Sequence, residues 1–201
     1  MSSIARKIAF KTLGMKNYLR LVQKGFFLSY NLGLLKNKKE YEYHYFVEKL
    51  INKGDTVVDI GANLGYYSKL FSKWVGETGK VFSVEPIKVY NEVFKKETKN
   101  CKNITLLSFA LGAEEKDIEL VTSPQTSYLK TGLPHVYDKK RDGELENQKF
   151  RFEARMTIPD KLFRDINRID YLKCDVEGFE FVVLQNMTET LNRCKPTIQI
   201  E

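Results

Sequence analysis

The sequence has few of the residues that build disulfide frameworks or metal sites, with three cysteines and two histidines among 201 residues. Cys101, Cys174 and Cys194 form no Cys-x-x-Cys pair, and their odd number is typical of reduced thiols in a cytoplasmic protein. His44 and His135 are too far apart in the chain to indicate a metal-binding pair, so we expect each at the surface or on a helix. The composition therefore favours neither a fold stabilised by disulfide bonds nor a metal site built from cysteines and histidines.

Long apolar runs are also missing, since none approaches the roughly 20 residues that are needed to span a bilayer. The chain is nevertheless 42% hydrophobic and 12% aromatic, which is enough to bury one full core. We predict one α/β domain over residues 40–201, preceded by a helical extension over residues 1–39.

Acidic residues are absent from residues 1–39, which hold nine lysines and arginines. The rest of the chain is close to neutral, so the net charge of +7 belongs to this segment. An enzyme acting on nucleic acid would carry its basic residues around the active cleft, where they neutralise phosphates. The basic residues of this chain are concentrated in residues 1–39 instead, so we expect no nucleic-acid partner. Met15, Tyr18, Leu19 and Val22 share one face at helical spacing, which predicts a basic amphipathic helix. Such a helix either packs on the domain with its bases in solvent, or binds a partner or an anionic membrane surface.

The central stretch of the chain is residues 55–65, where a β-branched run leads into two glycines. The run predicts a strand buried on both faces of a parallel sheet, and Gly61 and Gly65 permit a tight turn into a helix. The spacing Gly-x-x-x-Gly differs from the Gly-x-Gly-x-x-Gly turn that is typical of dinucleotide folds. Asp59 would repel a pyrophosphate but can hold the ammonium group of an amino acid. These features favour S-adenosylmethionine over a nicotinamide cofactor.

Four more strands are predicted downstream, near residues 80–84, 104–109, 169–174 and 196–201. Glu85 follows the first of these strands, where a carboxylate can accept hydrogen bonds from both ribose hydroxyls of a cofactor. Ala110 and Leu111 are predicted to terminate the 104–109 strand beside the adenine pocket. A helix with Val183 and Leu191 on its apolar side is predicted between the last two strands.

A long insertion separates the third and fourth strands. Residues 117–121 alternate polar and apolar side chains, as an extra edge strand would. Residues 122–153 contain turn formers at Pro124 and at Gly132 to Pro134. An insertion of this length often forms a lid or a substrate wall, and the alternative is a hairpin that covers the edge of the sheet.

The chain resembles the FkbM-type methyltransferase family over roughly residues 40–201. The motifs that carry this resemblance are Asp-Ile-Gly-Ala-Asn-Leu-Gly (59–65), Val-Glu-Pro (84–86), Phe-Ala-Leu-Gly (109–112) and Asp-Tyr-Leu-Lys-Cys-Asp-Val-Glu-Gly-Phe-Glu (170–180). The resemblance implies a Rossmann-like class I methyltransferase fold, with a mostly parallel doubly wound sheet. Relatives of this fold continue past the fifth strand with a further strand pair, which we expect this chain to lack as a short variant, a fragment or a domain completed by a partner.

The motifs identify two sets of candidate site residues. The residues predicted to bind S-adenosyl-L-methionine are Asp59, Gly61, Ala62, Asn63, Gly65, Glu85, Ala110 and Leu111. Asp175 is predicted to be the general base or the residue that orients the acceptor, and Glu177 to face the same cleft. Magnesium held between Asp175 and Glu201 is an open alternative, although no metal is predicted.

The function expected from these features is S-adenosylmethionine-dependent O-methylation of a small hydroxylated molecule or a sugar, such as a precursor of a cell-surface polysaccharide. We expect a cytoplasmic protein, with peripheral membrane contact through residues 1–39 as an open alternative. A non-catalytic domain that only binds the cofactor is a second interpretation. An RNA methyltransferase is a third, and the lack of an Asn/Asp-Pro-Pro-Tyr motif after the fourth strand counts against base N-methylation.

Overall fold

A computed structural model describes residues 2–122 and 127–201. Its regular elements in chain order are α1 (Ser3–Asn31), α2 (Glu42–Phe46), β1 (Thr56–Ile60), α3 (Tyr66–Val75), β2 (Lys80–Val84), α4 (Lys88–Glu97), β3 (Ile104–Leu107), β4 (Ala110–Leu111), β5 (Lys116–Val121), β6 (His135–Val136), α5 (Lys139–Asp142), β7 (Arg151–Thr157), α6 (Pro159–Leu162), β8 (Tyr171–Cys174), α7 (Glu180–Gln185), α8 (Thr188–Cys194) and β9 (Thr197–Ile200). Single 3-10 turns lie at Lys39–Tyr41, Val47–Leu50 and Leu145–Asn147. The predicted turn at Pro124 lies outside the described residues.

The main sheet has five parallel strands in the order β3-β2-β1-β8-β9, which confirms the predicted α/β fold. Strand β1 is central because its β-branched side chains are buried on both faces. The last residue of β1, Ile60, lies opposite Val84 of β2 and Cys174 of β8. The loops that follow these three strands therefore meet at one edge of the sheet.

Helix α3 packs on this sheet through one apolar face. The residues of this face, all buried, are Tyr67, Leu70, Phe71 and Trp74. The helix begins after Gly65, which has a φ of 84°, and a Cβ on Gly65 would lie 2.8 Å from the ring of Phe94 in α4. The second glycine of the motif thus lets α3 and α4 pack closely.

A second sheet, in the order β4-β7-β5-β6, is built mainly from the insertion. The prediction of an edge strand at residues 117–121 is wrong, because β5 pairs with β7 on one side and β6 on the other. The prediction that Ala110 and Leu111 terminate the third strand is also corrected, since they form β4 opposite Met156 and Thr157. The alternation of polar and apolar residues predicts a strand. It does not show how many other strands pair with it, because those strands lie far away in the sequence.

Helix α1 is interrupted at Gly14, whose backbone is not helical. Beyond this point Tyr18 and Leu19 are buried in the core, and the Gln23 side chain donates a hydrogen bond to the carbonyl of Leu64. The expectation that the helix packs on the domain is therefore confirmed for this half. Before Gly14, Ile4 is 73% exposed. Among the described helices, none is both long and apolar enough to cross a membrane.

Candidate cofactor and methyl-transfer site

A cavity with about 680 Å³ of empty space opens at the carboxyl ends of β1, β2 and β8. Of the predicted site residues, those that line it are Gly61, Asn63, Glu85, Ala110, Leu111, Asp175 and Glu177. Residues Thr131 to Val136 of the insertion form part of its wall, with Leu133 set back from the cavity. The insertion therefore contributes a wall of this cavity, in agreement with one of the two interpretations of its sequence.

Glu85 is a buried carboxylate at the end of β2. Its Oε2 accepts a hydrogen bond from the Asn63 amide at 2.9 Å, and its Oε1 accepts one from the Ile87 amide at 2.8 Å. Burial raises the pKa of Glu85 to about 7, against the opposing effect of the two amides. The two amides hold the carboxylate in one orientation, and Glu85 lines the cavity.

Gly61 lies where the turn after β1 meets the loop after β8. Its φ is 79°, and a Cβ at this position would lie 1.8 Å from the carbonyl oxygen of Asp175. Its amide donates a hydrogen bond to the Val84 carbonyl at 3.0 Å. Only glycine fits both the backbone conformation and this close approach. Gly61 therefore brings the loops after β1, β2 and β8 together.

Asp59 is not in the position expected for a contact with an ammonium group. Its side chain is 1% exposed, does not line the cavity, and accepts a hydrogen bond from the Ser68 hydroxyl. In the sheet, Asp59 is paired in register with Ser83 of β2 and Lys173 of β8. The side chains of these three polar residues therefore lie on the same face of the sheet, beneath α3. Burial raises the pKa of Asp59, while Lys173 opposes this shift.

Ala62 and Gly65 are also set back from the cavity wall. Ala62 is buried, and its amide donates to the Val84 carbonyl at 3.0 Å, whereas Gly65 packs against Phe94. In the structure these two motif residues shape the turn and do not offer a surface to a ligand.

Lys173 was not among the predicted site residues, although it belongs to the motif that carries the family resemblance. It is 1% exposed, and its Nζ donates to Asp175 Oδ2 at 2.9 Å. The same Nζ lies 4.8 Å from the centre of the Tyr67 ring, in a cation–π geometry. The ammonium group thus holds the Asp175 carboxylate at the cavity wall.

Glu177 has a φ of 55°, in the left-handed region that non-glycine residues rarely adopt. The pKa of Glu177 is raised to about 7. Partial burial is the main cause, and the nearby carboxylates of Asp175 and Glu180 add to it. A Cβ on Gly132 of the insertion would lie 3.3 Å from Glu177 Oε1, so the carboxyl group sits directly against the insertion. A carboxylate with a pKa near neutrality is suited to accept a proton at physiological pH.

His44 lies on helix α2, as expected for a residue at the surface or on a helix, whereas His135 lies in β6. His44 is 9% exposed and its ring stacks on Tyr67 with the centroids 4.0 Å apart, while burial and then Lys173 lower its pKa to about 4. His135 lies at the cavity wall, with Nδ1 3.0 Å from the Leu133 carbonyl and Nε2 3.0 Å from Asp142 Oδ1. Local periodicity carries no signal for either environment.

Within residues 2–122 and 127–201, no group of three or more His, Cys, Asp or Glu side chains is placed to hold a metal ion. Burial raises the pKa of Glu201, and the neighbouring Asp175 carboxylate adds to this effect while Lys173 opposes it.

The site fits S-adenosylmethionine. Glu85 presents a fixed carboxylate for ribose hydroxyls, Phe109 and Leu111 provide an apolar wall for a base, and the Gly61 turn leaves room beside the Asp175 loop. A parallel sheet with an acid after its second strand and a cavity at the carboxyl ends of its strands is typical of α/β domains that bind a nucleotide cofactor, and S-adenosylmethionine-dependent methyltransferase domains belong to this class.

The family follows from the comparison with known domains. The methyltransferase FkbM domain matches residues 59–201, which is well over half of the chain. The chain therefore belongs to the FkbM methyltransferase family, and the resemblance seen in its motifs is confirmed. A comparison with curated proteins finds no match.

Solved structures include several methyltransferases similar to this chain. The methyltransferase FkbM from Methylobacillus flagellatus KT is 15% identical, with a TM-score of 0.48, over 73% of this chain and 32% of that chain. Aeropyrum pernix fibrillarin with natively bound S-adenosyl-L-methionine is 15% identical, with a TM-score of 0.41, over 69% and 42%. A SAM-dependent methyltransferase from Aquifex aeolicus is 24% identical, with a TM-score of 0.31, over 38% and 44%. The matched region spans less than half of each of these three proteins.

Proposed function

We propose that this domain transfers a methyl group from S-adenosylmethionine to a hydroxyl group of a small molecule or a sugar. The observation that carries the proposal is the arrangement of Glu85, Asp175 and Glu177 around one cavity, the first suited to a cofactor and the other two to an acceptor. When bound there, the cofactor supplies a methyl group attached to a positively charged sulfur.

Glu85 is the proposed anchor for the cofactor. Because backbone amides already hold its two oxygens, its ionised form can accept hydrogen bonds from two ribose hydroxyls without reorienting. Phe109 and Leu111 would contact the adenine face. These contacts fix the cofactor at the carboxyl ends of the strands.

Asp175 and Glu177 are the proposed groups for the acceptor. An alcohol is a weak acid, so the acceptor oxygen must lose its proton as it bonds to the methyl carbon. Glu177, with a pKa of about 7, accepts that proton, and Asp175, fixed by Lys173, orients the hydroxyl group. A positioned base contributes about 10²–10⁴-fold to the rate, and alignment of the reacting atoms contributes more.

The test is calorimetric titration with S-adenosylhomocysteine, followed by an acceptor screen. We expect saturable binding that weakens in Glu85→Gln and is unchanged in Glu177→Gln. With an acceptor in hand, Glu177→Gln should lose about 10²–10⁴-fold in kcat, while the matched control Glu189→Gln on exposed α8 should not change. A folded protein that binds no S-adenosylhomocysteine would refute the proposal. Binding without transfer to any hydroxylated acceptor would favour a non-catalytic cofactor-binding domain.

A further inference from the structure

The turn between β8 and α7 holds Glu177 in an uncommon backbone conformation. Glu177 has a φ of 55° and Gly178 a φ of 90°, so two consecutive residues lie in the left-handed region. A non-glycine residue stays in this region only where the surrounding contacts hold it there. The turn therefore needs a partner that prevents its relaxation.

Glu180, the first residue of α7, is that partner. Its Oε1 accepts hydrogen bonds from the Val176 amide at 2.8 Å and from the Gly178 amide at 3.2 Å. These two residues flank Glu177, so one oxygen atom holds both sides of the left-handed step. Hydrogen bonds to an ionised carboxylate are stronger than those between neutral groups. Glu180 itself is half-buried and does not line the cavity.

The conformation of this turn decides where the Glu177 carboxyl group lies. Glu177 lines the cavity, and a Cβ on Gly132 of the insertion would lie 3.3 Å from its Oε1. If the turn relaxed to a negative φ, the direction of the Glu177 side chain would change and the carboxyl group would leave this position. The placement of the proposed base thus depends on a contact made by a residue outside the cavity.

We infer that Glu180 is a positioning residue for methyl transfer, which holds the left-handed turn through one carboxylate oxygen and thereby keeps Glu177 at the cavity wall. The inference rests on the proposed function, in which Glu177 accepts the proton of the acceptor hydroxyl group. If Glu180 only satisfied free amides at the start of α7, its replacement would leave the behaviour of Glu177 unchanged.

Glu180 also acts on Glu177 through its charge. Burial is the main cause that raises the pKa of Glu177 to about 7, and the carboxylates of Asp175 and Glu180 add to it. His135 in β6 opposes this effect, and Glu201 after β9 adds a smaller contribution. Removing the charge of Glu180 while keeping an acceptor oxygen should therefore lower the pKa of Glu177 without releasing the turn.

The experiment compares Glu180→Gln, which keeps an acceptor oxygen, with Glu180→Ala, which removes it. Glu189→Gln and Glu189→Ala are the matched controls, because Glu189 is an exposed acid in the first turn of α8 that does not line the cavity. Hydrogen exchange of the Val176 and Gly178 amides reports on the turn. The carbon chemical shift of the Glu177 carboxyl group, assigned with Glu177→Gln, reports on its titration.

We expect the two amides to exchange about tenfold or more faster in Glu180→Ala than in the unsubstituted protein or in Glu180→Gln. In Glu180→Gln, Glu177 should titrate about half a pH unit lower or more. The Glu189 variants should change neither result. An unchanged titration of Glu177 in Glu180→Gln, or unchanged amide exchange in Glu180→Ala, would overturn the inference.

Kinetics test the same role with an acceptor in hand. Glu180→Ala should lower kcat about tenfold or more without changing the affinity for S-adenosylhomocysteine, because it displaces the base and not the cofactor. In the Glu177→Gln background the same substitution should change kcat no more than about twofold, since Glu180 acts through Glu177. Additive losses in the double variant would overturn the inference.

The inference and the proposed function fail separately. Amide exchange and the titration of Glu177 require neither cofactor nor acceptor, so they decide the role of Glu180 in the turn even if the folded chain binds no S-adenosylhomocysteine, a result that would refute methyl transfer. Methyl transfer that continues unchanged in Glu180→Ala would overturn the positioning role and leave the proposed function intact.

Discussion

Lys173 and Asp175, two residues apart at the end of β8, form an ion pair in which Nζ lies 2.9 Å from Oδ2. The lysine is almost fully buried, whereas the aspartate reaches the cavity. Because Asp59 lies opposite Lys173 in the neighbouring strand, one ammonium group faces a carboxylate in the sheet and a carboxylate at the site. The pair thus couples the stability of the sheet to the position of Asp175, the residue proposed to orient the acceptor.

Replacing this ammonium group should be costly. In Lys173→Met, the carboxylates of Asp59 and Asp175 lose their buried partner, and we expect the free energy of unfolding to fall by about 3 kcal/mol or more. Lys161→Met is the matched control, because its pair with Glu115 is exposed and should contribute no more than about 1 kcal/mol. Urea denaturation at pH 8 measures both variants. Equal losses in the two would show that Lys173 is not an essential partner.

The Gly61 turn should tolerate no side chain. In Gly61→Ala the new Cβ would overlap the Asp175 carbonyl, so the loops after β1 and β8 must separate, and we expect weaker S-adenosylhomocysteine binding together with lower stability. Gly143→Ala also places a side chain at a positive φ, 74°, but no atom lies within 4 Å of the new Cβ, so it should lose only the cost of backbone strain, about 1–3 kcal/mol, and leave cofactor binding unchanged. Calorimetry and thermal unfolding of both variants separate overlap from strain. Unchanged cofactor affinity in Gly61→Ala would contradict the role of this close approach.

Cofactor binding should release protons near neutral pH. The carboxyl group of Glu85 has a pKa of about 7, so about half of the molecules carry this proton at pH 7. Ribose hydroxyls that donate to the ionised form lower that pKa, and binding then expels the proton. Titrations with S-adenosylhomocysteine in buffers of different ionisation enthalpy should show release of about half a proton at pH 7 and almost none at pH 9.

Glu177 also has a pKa of about 7 and must be tested separately. Glu177→Gln should keep the proton release, whereas Glu85→Gln should lose it together with affinity. Proton uptake on binding, or release that persists without Glu85, would rule out the proposed contact.

His44 should make the fold sensitive to acid. Its pKa is about 4 in the folded state against an ordinary value of 6.5, so between these values the unfolded chain binds more protons than the folded one. Stability therefore falls as the pH drops from about 6.5 to 4. Between pH 8 and pH 4, the free energy of unfolding should therefore fall by about 3 kcal/mol less in His44→Phe than in the unsubstituted protein. Tyr45→Phe, which removes no group that titrates in this range, should leave the acid dependence as it is.

The exposed face of α1 and the following turn should bind an anionic membrane surface. In the part of the chain that the structure describes, ten of the fourteen exposed large hydrophobic residues lie between Ile4 and Leu50. Residues 1–39 carry nine basic residues and no acidic residue. We expect vesicles with anionic lipid to retain the protein and vesicles of phosphatidylcholine alone to release it. Ile4→Ser with Ile8→Ser should weaken retention, whereas Phe181→Ser, at a residue 76% exposed elsewhere, should not. If retention does not depend on the charge of the lipid or on added salt, the predicted binding of this surface to an anionic membrane is wrong.

The elements from β1 to β2 could be predicted closely because their signals are local. A β-branched run followed by two glycines determines β1 and its turn, and apolar residues at helical spacing determine the inner face of α3. The position of Glu85 follows from the end of β2. Each of these signals requires only residues that are neighbours in the sequence, so the sequence alone was sufficient to predict the parallel sheet and the position of Glu85 at its edge.

The tertiary structure decided the features that depend on distant partners. The apolar spacing from Val183 to Leu191 predicted one helix, but α8 begins separately because Asp160 accepts hydrogen bonds from the amides of Glu189 and Thr190.

The same distinction applies to the site. By itself the sequence determined which acids, glycines and cations the chain carries and which strand ends they follow, since bonding along the chain sets that order. Packing decided that Asp59 lies beneath the cavity, that His44 is buried on Tyr67 and that Lys173 holds Asp175. Apart from the Lys173–Asp175 pair, these relationships depend on residues that are distant in the sequence, such as Asp59 and Lys173, and only the pairing of strands and the burial of side chains brings such residues together.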